Sequence, residues 1–167
     1  MVKLYKRHPD GHLDYHEAWF ADGEITEHWG RVGERGVRRV RRKRWLRDPL
    51  RELERVLAEA RRAGYAELDE GERRTLLIEY RVEGMGTPAD LGRRHQLEET
   101  LDEILGWTGL GDCDGGSIGS GTMEACCLVV DFAIARGVIQ RELAGTPFGD
   151  FTRIYDEDDC DGGATGG

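Results

Sequence analysis

Apolar and polar residues alternate from the first residues onward. Val2-Lys3-Leu4-Tyr5 has the period of two that marks a strand. Further runs extend from about Leu13 to Phe20 and from Glu24 to Trp29. Asp10-Gly11 and Asp22-Gly23 separate the three runs, and both residue types accept the positive φ of a two-residue turn. Gly30, Gly33 and Gly36 punctuate the next stretch, and a dense basic run disturbs the alternation from Val37 to Trp45. Residues 1–45 therefore predict an antiparallel meander.

The period then changes. Asp48 is suited to cap a helix and Pro49 to open it. Leu50, Leu53, Leu57 and Ala60 recur at helical spacing, and Gly64 supplies a stop. A helix of this length cannot bury its stripe alone, so it is expected to pack on the meander. The polar stretch from Tyr65 to Arg74 marks a boundary, giving a first domain over 1–68 and a linker over 69–74.

Beyond it, Leu76, Ile78, Tyr80 and Val82 share one face of a strand. Thr87-Pro88-Ala89-Asp90 opens a helix whose apolar face is Leu97, Leu101, Ile104 and Leu105. The glycine-rich stretch Gly109–Gly121 fits a bent hairpin hiding one short strand. Thr122 to Val130 is nearly continuously apolar, as expected of a central strand buried on both faces. Asp131 caps a helix with Ile134, Ala135, Val138, Ile139 and Leu143 inward, and Phe151 to Tyr155 closes the series. The order over 75–155 is β-α-β-β-α-β, that of a ferredoxin-like sandwich. The fold class is α+β. Residues 156–167, acidic and then glycine-rich, are expected to be a disordered tail.

Charge sharpens the division. Residues 1–64 hold 16 basic and 11 acidic side chains, a net of +5, whereas 65–167 hold 8 and 22, a net of −14. The first part attracts a polyanion and the second repels one. No apolar run reaches membrane-spanning length, so no membrane association is expected. The N-terminus lacks the apolar core of a signal peptide, so the expected location is cytoplasmic. Four irregularly spaced cysteines fit free thiols rather than a disulfide framework.

Glu27-His-Trp-Gly-Arg-Val-Gly-Glu-Arg-Gly36 resembles the signature of the WGR domain in Trp29, Gly30, Arg31, Val32, Gly33 and Gly36. The resemblance extends over about 1–68, to the Ala63-Gly64-Tyr65 that closes the helix. WGR modules occur in some poly(ADP-ribose) polymerases and in many bacterial proteins. In the polymerases they help engage DNA ends. The resemblance thus implies a WGR-like sheet packed with one helix, and DNA binding. Val37 stands where the family often has Gln, and the chain has no room for a transferase domain.

The residues themselves support the same chemistry. An indole can stack on a base or fill a core, and a guanidinium forks onto phosphate. The candidate nucleic-acid-binding residues are Trp29, Arg31, Arg38, Arg39, Arg41, Arg42, Lys43 and Arg44. Clustered arginine is the footprint of backbone binding, the alternative being a solvated edge strand. Replacing Arg41, Arg42 and Arg44 is expected to spare folding, since long cations rarely belong in a core.

Other constellations carry less. His8, His12 and His16 on one strand would span steps of about 13 Å, although the Asp10-Gly11 turn brings His8 near His12. With no third ligand placed, neither a metal nor any other cofactor is expected. The glycine-rich stretch lacks the lysine and helix N-terminus of a phosphate loop. Cys126 and Cys127 should point to opposite faces. Cys113 and Cys160 lie beside aspartates, which should raise their pKa. No nucleophile or metalloprotease motif occurs, so no enzymatic activity is expected. The leading expectation is a non-enzymatic nucleic-acid-binding module, with DNA the expected nucleic acid, whose acidic second domain (75–155) regulates it or binds a protein partner or a second copy. The alternative is a protein-interaction module whose acidic domain binds a basic partner.

Overall fold

A computed structural model describes residues 1–42 and 48–157, with the backbone alone at Arg42 and Glu70. Lys43 and Arg44, Cys160 and all of the acidic tail beyond Glu157 lie outside the described residues. The chain divides into two compact units, Met1–Asp69 and a second from Glu70 onward. Together they hold two antiparallel four-stranded sheets and three helices, an α+β architecture.

The first unit is a meander of β1 (Val2–Arg7), β2 (Leu13–Ala21), β3 (Glu24–Arg31) and β4 (Val37–Arg42), in that spatial order. At the β2–β3 turn both Asp22 (φ 51°) and Gly23 (φ 76°) take positive φ, but at Asp10-Gly11 only the glycine does. One face of the sheet receives helix α1 (Pro49–Arg62). Leu4 and Ala18 pack there against Val56, Leu57 and Ala60, with Val2, Leu53 and Tyr65 at the margin. Asp48 caps α1 by accepting from the Arg51 N–H, and Gly64 ends it at φ 93°. Leu53, Leu57 and Ala60 of the expected stripe face inward, but Leu50 does not. Leu50, in the first turn, is 69% exposed, and Val56 takes the inward position at the 3.6 period.

The second unit runs β5 (Arg74–Arg81), α2 (Pro88–Trp107), β6 (Gly111–Gly119), β7 (Thr122–Val129), α3 (Phe132–Leu143) and β8 (Arg153–Asp156). Its sheet order is β6-β7-β5-β8 with every neighbour antiparallel, which is the spatial order of the β-α-β-β-α-β sandwich. Leu76, Ile78 and Tyr80 of β5 pair in register with Cys127, Ala125 and Met123 of β7. These six, Val129 and Ile154 form a buried sheet face against the inward residues of α2 and α3.

Four expectations need correction. β7 is central but buries alternate residues only, so one face of it is covered rather than two. Ile134 lies 39% exposed outside the α3 stripe. The stretch read as a linker contains a 3₁₀ turn, Glu70–Glu72, and the start of β5. Asp156, read as the start of a disordered tail, ends β8: its carboxylate is buried and lies 2.7 Å from Arg74, which compensates the charge.

The glycine-rich stretch is a nine-residue strand, bulged between Cys113 and Gly115. Two of its glycines, Gly111 and Gly116, are steric necessities. A Cβ on Gly116 would collide with the Glu124 carbonyl oxygen of β7. One on Gly111, at φ 152°, would collide with that of Leu128. Gly116→Ala and Gly111→Ala should each lower stability by about 1–3 kcal/mol, the range for overpacked sites. Urea unfolding should show this, whereas Gly137→Ala, which meets open space inside α3, should stabilise by up to about 1 kcal/mol.

Candidate nucleic-acid interface

Pleating assigns the side chains of the first sheet to two faces. On one face Tyr15 is fully buried, and burial raises its phenol pKa to about 12. Its oxygen accepts a hydrogen bond from the Gly36 N–H and lies 3.0 Å from Nε2 of buried His28. Nδ1 of His28 lies 2.7 Å from Oε1 of buried Glu17, whose Oε2 pairs with Lys3 at 3.1 Å. Two motif glycines make room for this chain. A Cβ on Gly30 would lie 2.8 Å from the Gly36 Cα, and one on Gly36 would strike the Trp29 carbonyl and the Tyr15 hydroxyl. Gly33 turns the β3–β4 connection at φ 92°, and Val32 is buried. The glycines and valine of the motif are therefore packing elements.

Trp29 and Arg31 are two residues apart on β3 and share the opposite face. Trp29 is half-buried, with the His16 ring edge-on at 6.0 Å. Burial lowers the pKa of His16, which favours its neutral form. The Arg39 guanidinium lies 4.9 Å above the indole centroid. Arg31 and Arg39 are exposed, and Val37, opposite Trp29 in the register, is 59% exposed. The arrangement is a wet patch holding an arginine flat on an aromatic, its N–H edges available to an oxyanion.

Edge strand β4 divides the basic run. Arg39 and Arg41 lie on the Trp29 side, while Arg38, also exposed, faces the other way opposite His28. Arg41 is committed internally. Its Nε lies 2.5 Å from Oε1 of buried Glu27, and its Nη1 is 4.0 Å from Glu52 of α1. The expectation that Arg41 is dispensable for folding is thus corrected, because its removal strands a buried carboxylate. Arg42 continues β4 in backbone only, and Lys43 and Arg44 lie outside the described residues.

Sequence reasoning did not single out Tyr15, Glu17, Glu27 or His28. The available signal was Thr26-Glu27-His28, three consecutive polar residues inside a strand, all of them buried.

In the second unit Cys126 and Cys127 do point apart, and Cys127 is buried. Cys113 behaves otherwise than expected. The Cys127 thiol hydrogen-bonds its sulfur and holds its pKa below the usual thiol value, outweighing burial and the nearby carboxylates. Asp102, on the polar side of α2, accepts from the Cys113 N–H at 3.2 Å. No helix among the described residues is long and apolar enough to cross a membrane.

Comparison with known protein families, with curated proteins and with solved structures finds no match to this chain.

Two substitutions in β4 separate packing from surface chemistry. Arg41→Gln should cost about 1–3 kcal/mol, a partly buried pair losing less than a fully buried one. Arg39→Gln should stay within about 1 kcal/mol, the worth of an exposed cation–π contact. Thermal unfolding of both proteins checks the ranking. Gly36→Ala should destabilise more than either, because the added methyl meets backbone.

Proposed function

We propose that the first unit is a WGR-like, non-enzymatic module that binds nucleic acid along the phosphate backbone, DNA foremost. The observation that carries this reading is the exposed patch of Arg31 and Arg39 beside Trp29. Indole contact restricts the Arg39 side chain before any ligand arrives, so less entropy is lost when it meets a phosphate. The +5 charge of residues 1–64 favours the same class of partner. Arg38 extends the basic surface around the β4 edge, while Arg41 supports the patch from within through Glu27. On this reading the module works in the cytoplasm, where nucleic acid is available to it.

The acidic remainder of the chain acts as a restraint. At the effective concentration of a tethered group it competes with phosphates for the arginines. Asp158, Asp159 and Asp161 can be removed for a test, whereas Asp156 must stay because it pairs with Arg74.

Binding of the full chain to duplex DNA, followed by fluorescence anisotropy over a salt series, should give a slope of log K on log salt of roughly −3 to −5. Arg31→Gln with Arg39→Gln should weaken binding to all sequences alike and reduce that slope by about 2. Salt-independent affinity, or a double variant that binds like the parent, overturns the reading. Binding to a basic protein with none to DNA or RNA would favour the interaction-module alternative. Deleting residues 158–167 should tighten DNA binding at low salt, with the difference shrinking as screening increases.

A further inference from the structure

The β1–β2 hairpin gathers three metal-ligating side chains. Because Arg7 pairs with Leu13, His8 and His12 form the next opposed pair, and the His8 N–H donates to the His12 carbonyl at 2.9 Å. Asp14 follows His12 by two residues, so the pleat returns it to the same face. The two imidazoles are stacked, with centroids 4.1 Å apart and planes 8° from parallel. Nε2 of His8 lies 2.8 Å from Oδ2 of Asp14, and Nε2 of His12 lies 3.7 Å from Oδ1. One ligand atom from each residue falls within 4.8 Å of the other two. The three side chains are 24–27% exposed, which leaves a path for an ion from solvent.

A second carboxylate orients the site. Asp10 Oδ1 lies 2.5 Å from Nδ1 of His12 and accepts its proton in a hydrogen bond. The His12 lone pair is then on Nε2, facing Asp14, in the carboxylate–histidine arrangement typical of metal centres. His16 takes no part. Its ring packs edge-on to Trp29 and Tyr65, so the four-residue spacing of the histidines names the wrong third member.

We propose that His8, His12 and Asp14 bind a borderline divalent cation, Zn²⁺ first, with Asp10 as a positioning residue. Two imidazole nitrogens and one carboxylate oxygen suit Zn²⁺ better than Mg²⁺ or Ca²⁺, which take oxygen ligands. Bonds of about 2.0 Å in tetrahedral geometry place ligand atoms about 3.3 Å apart, so an ion would draw together three ligand atoms that here lie within 4.8 Å of one another. Three protein ligands leave the fourth position to water or an added anion. To ligate through Nε2, neutral His8 carries its proton on Nδ1 instead, a change of tautomer within the ring.

The full chain, free of any polyhistidine tag, is titrated calorimetrically with Zn²⁺ and separately with Mg²⁺. One equivalent of Zn²⁺ should bind and raise Tm, and Mg²⁺ should do neither. His8→Gln and Asp14→Asn should each weaken Zn²⁺ binding at least 10-fold, and Asp10→Asn about 10-fold. Cys113→Ser and His16→Gln should leave it unchanged. Circular dichroism without metal verifies that each variant is folded. Co²⁺ bound to the parent chain gives a reading independent of the variants: ligand-field bands without a thiolate charge-transfer band are expected. Absence of stoichiometric Zn²⁺ binding overturns the proposal. So does affinity that survives His8→Gln with Asp14→Asn, or a thiolate band from Co²⁺.

Discussion

The phenol of Tyr15 occupies the space that Gly30 and Gly36 leave for it, and this fit locks β2 against β3 and the β3–β4 connection. A side chain at either glycine would force the backbone away. A register shift of one residue would turn every side chain of the strand to the other face. The positions of Trp29 beside Arg39 and of His8 beside Asp14 both rest on such registers. The buried chain Tyr15–His28–Glu17 reinforces the fit, since each polar group depends on the next for its partner.

That dependence explains why so much charge lies inside a small sheet. Glu17 and Glu27 are buried, each with a cation from a neighbouring strand: Lys3 for one and Arg41 for the other. Burying such pairs contributes little net stability, but losing one partner costs heavily. The consequence is specificity of strand order. β1 and β4 each carry a cation that their neighbours require, which separates internal arginines from those left on the surface.

The second unit reaches its order by different means. Its core is apolar on the helix-facing side, and its strands meet through glycines that let β6 approach β7 closely. Hydrogen bonding between the thiols of Cys113 and Cys127 follows from that closeness, and it reverses the effect expected from the flanking aspartates.

Local chemistry in the sequence settled much of this. Alternation and the Asp-Gly turns determined the meander. Asp48, Thr87 and Asp131 determined where helices begin, because capping is a contact between near neighbours in the chain. Strand parity was also enough to separate Cys126 from Cys127. The β-α-β-β-α-β order was legible because helix and strand periods differ. Partnerships between distant residues were not legible. Nothing local distinguishes Arg41, which neutralises Glu27, from Arg39, which lies over Trp29. Leu50 and Ile134 fit their helical stripes yet lie outside the packed face, since the stripe specifies a direction and the neighbouring sheet specifies how far it is covered. Asp14 became a companion of His8 and His12 only when the hairpin register opposed them. Tertiary structure decided these cases because an ion pair, a close backbone approach or a three-residue cluster depends on distance in space, which the residues acquire only when the strands pair.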